Sequence, residues 1–189
     1  MKRLAVYCGS SMGIDPAYAE TARALGLEMA RRGIGLVYGG GRLGLMGVVA
    51  DAVLEGGGEV HGVIPQALID LEVAHTGLTE LHVVTTMHER KGRMTDLTDA
   101  FVALPGGIGT LDELFEAWTW NALGYHSKPF ALLDVNGFWK DLVELMDRVT
   151  ESGFMSPARR AQLLVAHDVD GAIDMLDRAI EAAETRMVW

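Results

Sequence analysis

Three glycine clusters each stand directly behind a short apolar run. Gly9-Ser10-Ser11 follows Leu4 to Cys8, Gly39-Gly40-Gly41 follows Ile34 to Tyr38, and Gly106-Gly107-Ile108-Gly109-Thr110 follows Ala100 to Leu104. Runs this brief, apolar on both faces and closed by turn residues, read as buried strands. The segments between them carry helical periodicity. Asp15-Pro16 opens a helix, with Asp as N-cap and Pro at the first helical position, and Ala22, Leu25, Met29 and Ala30 share one face before Gly33 ends it. Leu45 to Leu54 is a second helix, stopped by Gly56-Gly57-Gly58, and Val60 to Ile64 a third strand that Pro65 ends.

Residues 66–82 are polar and weakly periodic and read as a loop with a helical turn, leading into a strand over Leu81 to Thr85. Met87 to Leu97 reads as a helix, and so does Thr110 to Leu123, where Leu111, Leu114, Phe115 and Trp118 share a face. Phe130 to Leu133 is another strand and Phe138 to Thr150 another helix; residues 157–164 and 170–185 are helical around the apolar stretch Leu164-Val165-Ala166. Strands alternating with helices require right-handed crossovers and a parallel sheet covered on both faces. The expectation is one α/β domain over residues 1–189, doubly wound, with a sheet of about six to seven strands and ligands bound beyond their carboxyl ends. All three glycine clusters fall at that edge.

Composition narrows the function. Glycine accounts for 23 of 189 residues, with only 5 prolines and no Gly/Ser linker, so the glycines are placed rather than spread. A net charge of −10 without a run of Lys or Arg argues against nucleic-acid partners. Cys8 is the single cysteine, which leaves no intramolecular disulfide and no cysteine-based zinc site. The apolar run behind Met1-Lys2-Arg3 is too short for a signal sequence or a membrane span, so a cytoplasmic protein with no membrane partner is expected. His61, His75, His82, His126 and His167 show no HxxxH or HExxH spacing, and no metal site is expected. None of Lys2, Lys91, Lys128 and Lys140 has a recognisable Schiff-base context, which argues against pyridoxal phosphate chemistry, and no cofactor is expected.

Gly39-Gly40-Gly41-Arg42-Leu43-Gly44 satisfies GxGxxG, but the acid at the dinucleotide spacing, Glu59, precedes the third strand and falls at the wrong edge. These glycines serve either tight turning or a close backbone approach to an anion or substrate. Pro105-Gly106-Gly107-Ile108-Gly109-Thr110 is a phosphate cradle in design, because unhindered amides meet the positive end of the next helix. It lacks the Lys of an ATP-binding GxxxxGK[ST] loop. Thr110-Leu111-Asp112-Glu113 also fits a capping box, which would make Glu113 a structural residue rather than a carboxylate over a pocket. His88-Glu89-Arg90-Lys91-Gly92-Arg93 concentrates positive charge near a helix start, against the dipole, and points to an anionic partner or to a solvated patch paired with Glu89 and Asp96.

Together these motifs resemble the LOG family, the cytokinin riboside 5′-monophosphate phosphoribohydrolases once labelled lysine decarboxylase-like. The residues that carry the likeness are Cys8-Gly9-Ser10-Ser11, Gly39-Gly40-Gly41 with Gly44-Leu45-Met46-Gly47, Met87-His88-Glu89-Arg90-Lys91, Asp99 through Glu113, and Trp118-Thr119-Trp120. The resemblance implies a Rossmann-like fold, a homodimer, and cleavage of an adenosine-type 5′-monophosphate by water to free base and ribose 5-phosphate. It implies Arg90 and Glu113 as the catalytic pair. It implies substrate contacts at Glu72, Arg90, Lys91, Gly107, Ile108, Gly109, Thr110, Leu111, Asp112, Glu113 and Thr119. Leu71 replaces a usual glycine beside Glu72, Arg42 stands where many relatives have Ser, and Ile108 where many have Tyr. Two other readings stand beside it: a non-catalytic nucleotide or molybdenum-cofactor carrier, which would share the glycine loops, and a nucleoside-2-deoxyribosyltransferase-like enzyme, which would pass the sugar to another base.

Overall fold

A computed structural model describes residues 1–69 and 74–187 of the chain. Its elements are β1 (Arg3–Tyr7), α1 (Pro16–Arg31), β2 (Gly35–Tyr38), α2 (Gly44–Glu55), β3 (Val60–Pro65), a 3-10 turn at Gln66–Leu68, β4 (Glu80–Val84), α3 (Met87–Leu97), β5 (Ala100–Ala103), α4 (Ile108–Ala122), β6 (Phe130–Leu133), α5 (Lys140–Glu151), α6 (Pro157–Arg160), β7 (Leu163–Ala166) and α7 (Val169–Met187). Local chemistry accounts for many of the boundaries. Asp15 caps α1 by accepting from the Ala17 amide at 2.9 Å, Pro16 occupies its first turn, and Gly33 turns the chain away at φ +69°.

The seven strands form one parallel sheet in the order β4-β3-β2-β1-β5-β6-β7. Inner strands are buried on both faces, and their side chains feed two cores by alternation. Leu4 and Val6 of β1 pack with Leu25, Val49 and Ile173 from α1, α2 and α7, while Ala5 and Tyr7 pack with Met94, Trp118 and Met146 from α3, α4 and α5. The chain leaves β1 towards β2 on one side and returns to β5 on the other, so the order reverses between β1 and β5. At that point the amide of Gly9 donates to the carbonyl of Pro105 at 3.1 Å, holding two glycine loops together. The three glycine clusters do share the carboxyl edge, as the sequence predicts.

Most boundaries move by a residue or two from expectation, and three of the shifts matter here. The predicted helix over 157–164 stops at Arg160, and Leu163–Ala166 becomes edge strand β7 because β6 offers it a ladder. α5 begins at Lys140 rather than Phe138, after a turn in which Asp134 Oδ1 accepts from the Trp139 amide at 2.8 Å. α4 begins at Ile108 rather than Thr110, with direct consequences for the site.

Candidate active site

A cavity of about 250 Å³ opens where the strand order reverses. Cys8, Gly9 and Ser10 reach it from the loop after β1, Met46 from α2, Leu68 from the turn after β3, Met87 and Arg90 from α3, and Gly107, Ile108, Gly109, Thr110, Asp112 and Glu113 from the cap and first turns of α4. A second hollow of about 260 Å³ shares Gly9, Ser10 and Gly107 with it and runs towards Tyr18 and Phe138. The larger depression of about 710 Å³ lies at the opposite, amino edge. Its Asp99 is committed to the Lys2 and Arg3 amides at 2.6 and 3.0 Å.

Gly107 caps α4 in extended geometry with no side-chain acceptor, so the first-turn amides lack intrahelical partners, and Gly107, Ile108, Gly109 and Thr110, which carry them, line the cavity. A Cβ built on Gly107 or Gly109 meets nothing within 4 Å. Gly106, by contrast, is required by packing: a Cβ there would stand 2.1 Å from Thr110 Oγ1 and 2.8 Å from the Gly9 amide. The helix therefore starts earlier than the capping-box reading of Thr110 and Glu113 requires. Thr110 lies inside the first turn, and Glu113 belongs to the second, where its carboxylate does no capping. The capping box belongs to α3 instead. Thr86 Oγ1 accepts from the Glu89 amide at 3.1 Å, and Glu89 Oε2 accepts from the Thr85 and Thr86 amides at 2.7 and 3.4 Å.

The cationic cluster separates into three fates. Arg90 is only 4% exposed and donates from Nη2 to the carbonyl oxygen of Gly39 at 3.1 Å. The close approach expected at Gly39 is thus made by a side chain of the protein itself. Lys91 turns to α4, where it pairs with Asp112 at 2.7 Å and Glu116 at 3.0 Å. Burial opposes its charge, yet those two bonds hold its pKa above the ordinary lysine value. Arg93 is exposed. Glu89 is spent on capping rather than on pairing with the cluster.

The electrostatics follow from this packing. Burial pushes the Cys8 thiol up, and the Glu113 carboxylate pushes it further. Tyr7 is raised by burial and by Glu113 and Glu116, with Arg90 opposing. Cys8 therefore stays protonated and is no nucleophile. What remains is a carboxylate, a guanidinium and a row of amides around one cavity, an arrangement suited to an anionic substrate that develops positive charge.

Of the residues implicated by sequence, Arg90, Gly107, Ile108, Gly109, Thr110, Asp112 and Glu113 line this cavity. Leu111 packs against the core, Thr119 is exposed on α4, and Lys91 serves the α3–α4 ion pair. Glu72 lies outside the described residues. Sequence reasoning missed Met46, Leu68 and Met87 as lining residues. Met87 opens the MHERK motif and Met46 sits in the GLMG motif, but no local signal aims an apolar side chain at a cavity.

Fold and site define a Rossmann-like α/β protein with an anion-receptive cleft at its topological switch point. Residues 46–176 match the family described as possible lysine decarboxylase. The chain belongs to this family, the LOG family. It is 47% identical over 173 residues to the cytokinin riboside 5′-monophosphate phosphoribohydrolase of Rhodococcoides fascians, covering 91% of this chain and 87% of that protein. It is 43% identical over 188 residues to the rice (Oryza sativa subsp. japonica) enzyme of the same name, covering 100% and 78%. The molybdenum cofactor binding protein of Rippkaea orientalis shares the fold at a TM-score of 0.72 and 19% identity, over 95% of this chain and 97% of that one.

Proposed function

We propose that this chain, as one nucleotide-binding domain over residues 1–189, hydrolyses the N-glycosidic bond of cytokinin riboside 5′-monophosphates, N6-substituted forms of AMP, and of AMP itself. Water adds its oxygen to C1′ of the ribose, the bond from C1′ to the base breaks, and the base leaves with a proton. The products are free base and ribose 5-phosphate. The observation that carries this reading is the convergence of Arg90, Glu113 and the open amides of α4 on one cavity.

Each group has a role that its surroundings favour. The first-turn amides of α4, flanked by Gly107 and Gly109, hold the 5′-phosphate at the positive end of the helix. Glu113 faces the ribose, where a carboxylate stabilises oxocarbenium-like charge and accepts a proton from water. Arg90, anchored on Gly39, clamps the substrate and assists the departing base. Glu72 contributes a further acidic contact to ribose or base. Phosphate binding lies away from the bond that breaks and positions the reacting carbon. The decarboxylase chemistry in the family description is disfavoured because none of the chain's four lysines lines the cavity.

A cytoplasmic homodimer fits the same reading. Leu123 and Tyr125, 67% and 76% exposed just beyond α4, offer apolar surface for a second copy. The lone Cys8 suits a reducing compartment. The decisive experiment follows base release from N6-isopentenyl-AMP, AMP and the matching nucleosides, with and without an acceptor base. The expected result is hydrolysis of the monophosphates with little or no turnover of nucleosides. Binding without base release would support a carrier instead, and transfer to the acceptor a transferase.

A further inference from the structure

We propose that His61, Glu80 and His82 form a binding site for a zinc(II) ion that bridges strands β3 and β4 at the amino edge of the sheet, away from the cavity at the carboxyl edge. The sequence shows no helical metal-binding motif here because the pattern belongs to strands. Residues two apart on a strand share a face, so Glu80 and His82 project together from β4. The parallel register sets His61 of β3 directly opposite Glu80. One ligand atom from each of the three lies within 4.8 Å of the others.

The donor spacing suits zinc. Glu80 Oε2 is 3.5 Å from His61 Nδ1 and 3.4 Å from His82 Nε2. Tetrahedral bonds of about 2.0–2.1 Å place neighbouring donors roughly 3.3–3.4 Å apart, which the two glutamate–histidine separations match, while the histidine donors, within 4.8 Å of each other, close on the ion by side-chain rotation. The two imidazole rings lie nearly parallel, with centroids 6.2 Å apart.

The imidazole nitrogens also need a partner. His61 is 4% exposed, and neither its Nδ1 nor its Nε2 has a hydrogen-bond partner among the described residues; the same is true of His82 Nε2. Burying a polar atom unpaired is costly, and a metal at Nδ1 of His61 and Nε2 of His82 would satisfy both. Glu59 Oε2 lies 3.6 Å from His61 Nε2, on the side of the ring away from Glu80. It is placed as the outer carboxylate that orients a metal-bound histidine. Arg3 and Arg93 are within electrostatic reach of His82, and Glu80 opposes them there. Imidazole and carboxylate donors together favour zinc over hard cations such as magnesium.

The test uses the full chain without a polyhistidine tag, stripped with a chelator and titrated with Zn²⁺ against a chromophoric competitor. One saturable equivalent per chain is expected, with X-ray absorption showing imidazole scattering and N/O donors at about 2.0–2.1 Å. Glu59→Gln should weaken binding about tenfold and Glu80→Gln or His82→Gln by about a hundredfold or more. His167→Gln, at an exposed histidine, should bind as the wild type does. Saturating zinc should raise the Tm of wild type and not that of His82→Gln. Glu80 is 57% exposed at its side chain, so Glu80→Gln remains informative where a histidine variant fails to fold. Lack of a stoichiometric site, or one indifferent to Glu80→Gln, overturns the proposal.

Discussion

Nη2 of Arg90 sits 3.1 Å from the carbonyl oxygen of Gly39, in the volume a side chain at position 39 would occupy. Two residues far apart in sequence are thereby made to depend on each other. The glycine supplies both the acceptor and the space, and the arginine is buried at the cavity wall in return.

Gly39→Ala should therefore behave as a lesion of Arg90. A Cβ there would stand 2.0 Å from Nη2, so the guanidinium must move. A misplacement of about 1 Å in a catalytic group costs on the order of a hundredfold in rate, and base release from isopentenyl-AMP should fall by about that much. Wild-type turnover in Gly39→Ala would show that the position of Arg90 does not matter.

Glu113 and Glu89 should exchange the roles that sequence spacing suggests. Glu113→Gln keeps shape and removes the charge that the chemistry needs. Its kcat should fall by about 10²–10⁴. Thr86→Ala removes the true cap of α3 and should cost about 1 kcal/mol in denaturant unfolding, with a much smaller effect on turnover. The reverse pattern would return Glu113 to a structural role.

Cys8 should leave a signature in alkaline stability. Its thiol is held protonated in the folded chain by burial and by Glu113, while the unfolded thiol ionises near pH 8.5. Above about pH 9 the unfolded state has lost this proton and the native state has kept it, so stability falls by roughly 1.4 kcal/mol per pH unit from this group. The contribution is fully present below the unfolded pKa and is lost as pH rises. Denaturant melts of wild type and Cys8→Ala between pH 7.5 and pH 10 should diverge with about that slope; parallel curves would contradict a raised thiol pKa.

Local patterns determined much of this protein. Apolar runs of strand length, Asp15-Pro16 at a helix start and the uninterrupted Met87 to Leu97 helix are legible because each depends on neighbours within a turn or two. The alternation of these elements dictated a parallel doubly wound sheet, and that topology carried all three glycine clusters to one edge. Tertiary structure alone decided which groups meet. Whether Arg90, Lys91 or Arg93 enters the cavity depends on Gly39 and on the carboxylates of Asp112 and Glu116, all remote in sequence from α3. The start of α4 depends on how Gly106 packs against Gly9, which local spacing misreads as a cap at Thr110. His61 and His82 look scattered along the chain and become neighbours only through the register of β3 with β4. Periodicity records which face a residue takes, whereas a site forms between faces of different elements, and only the packed chain brings those together.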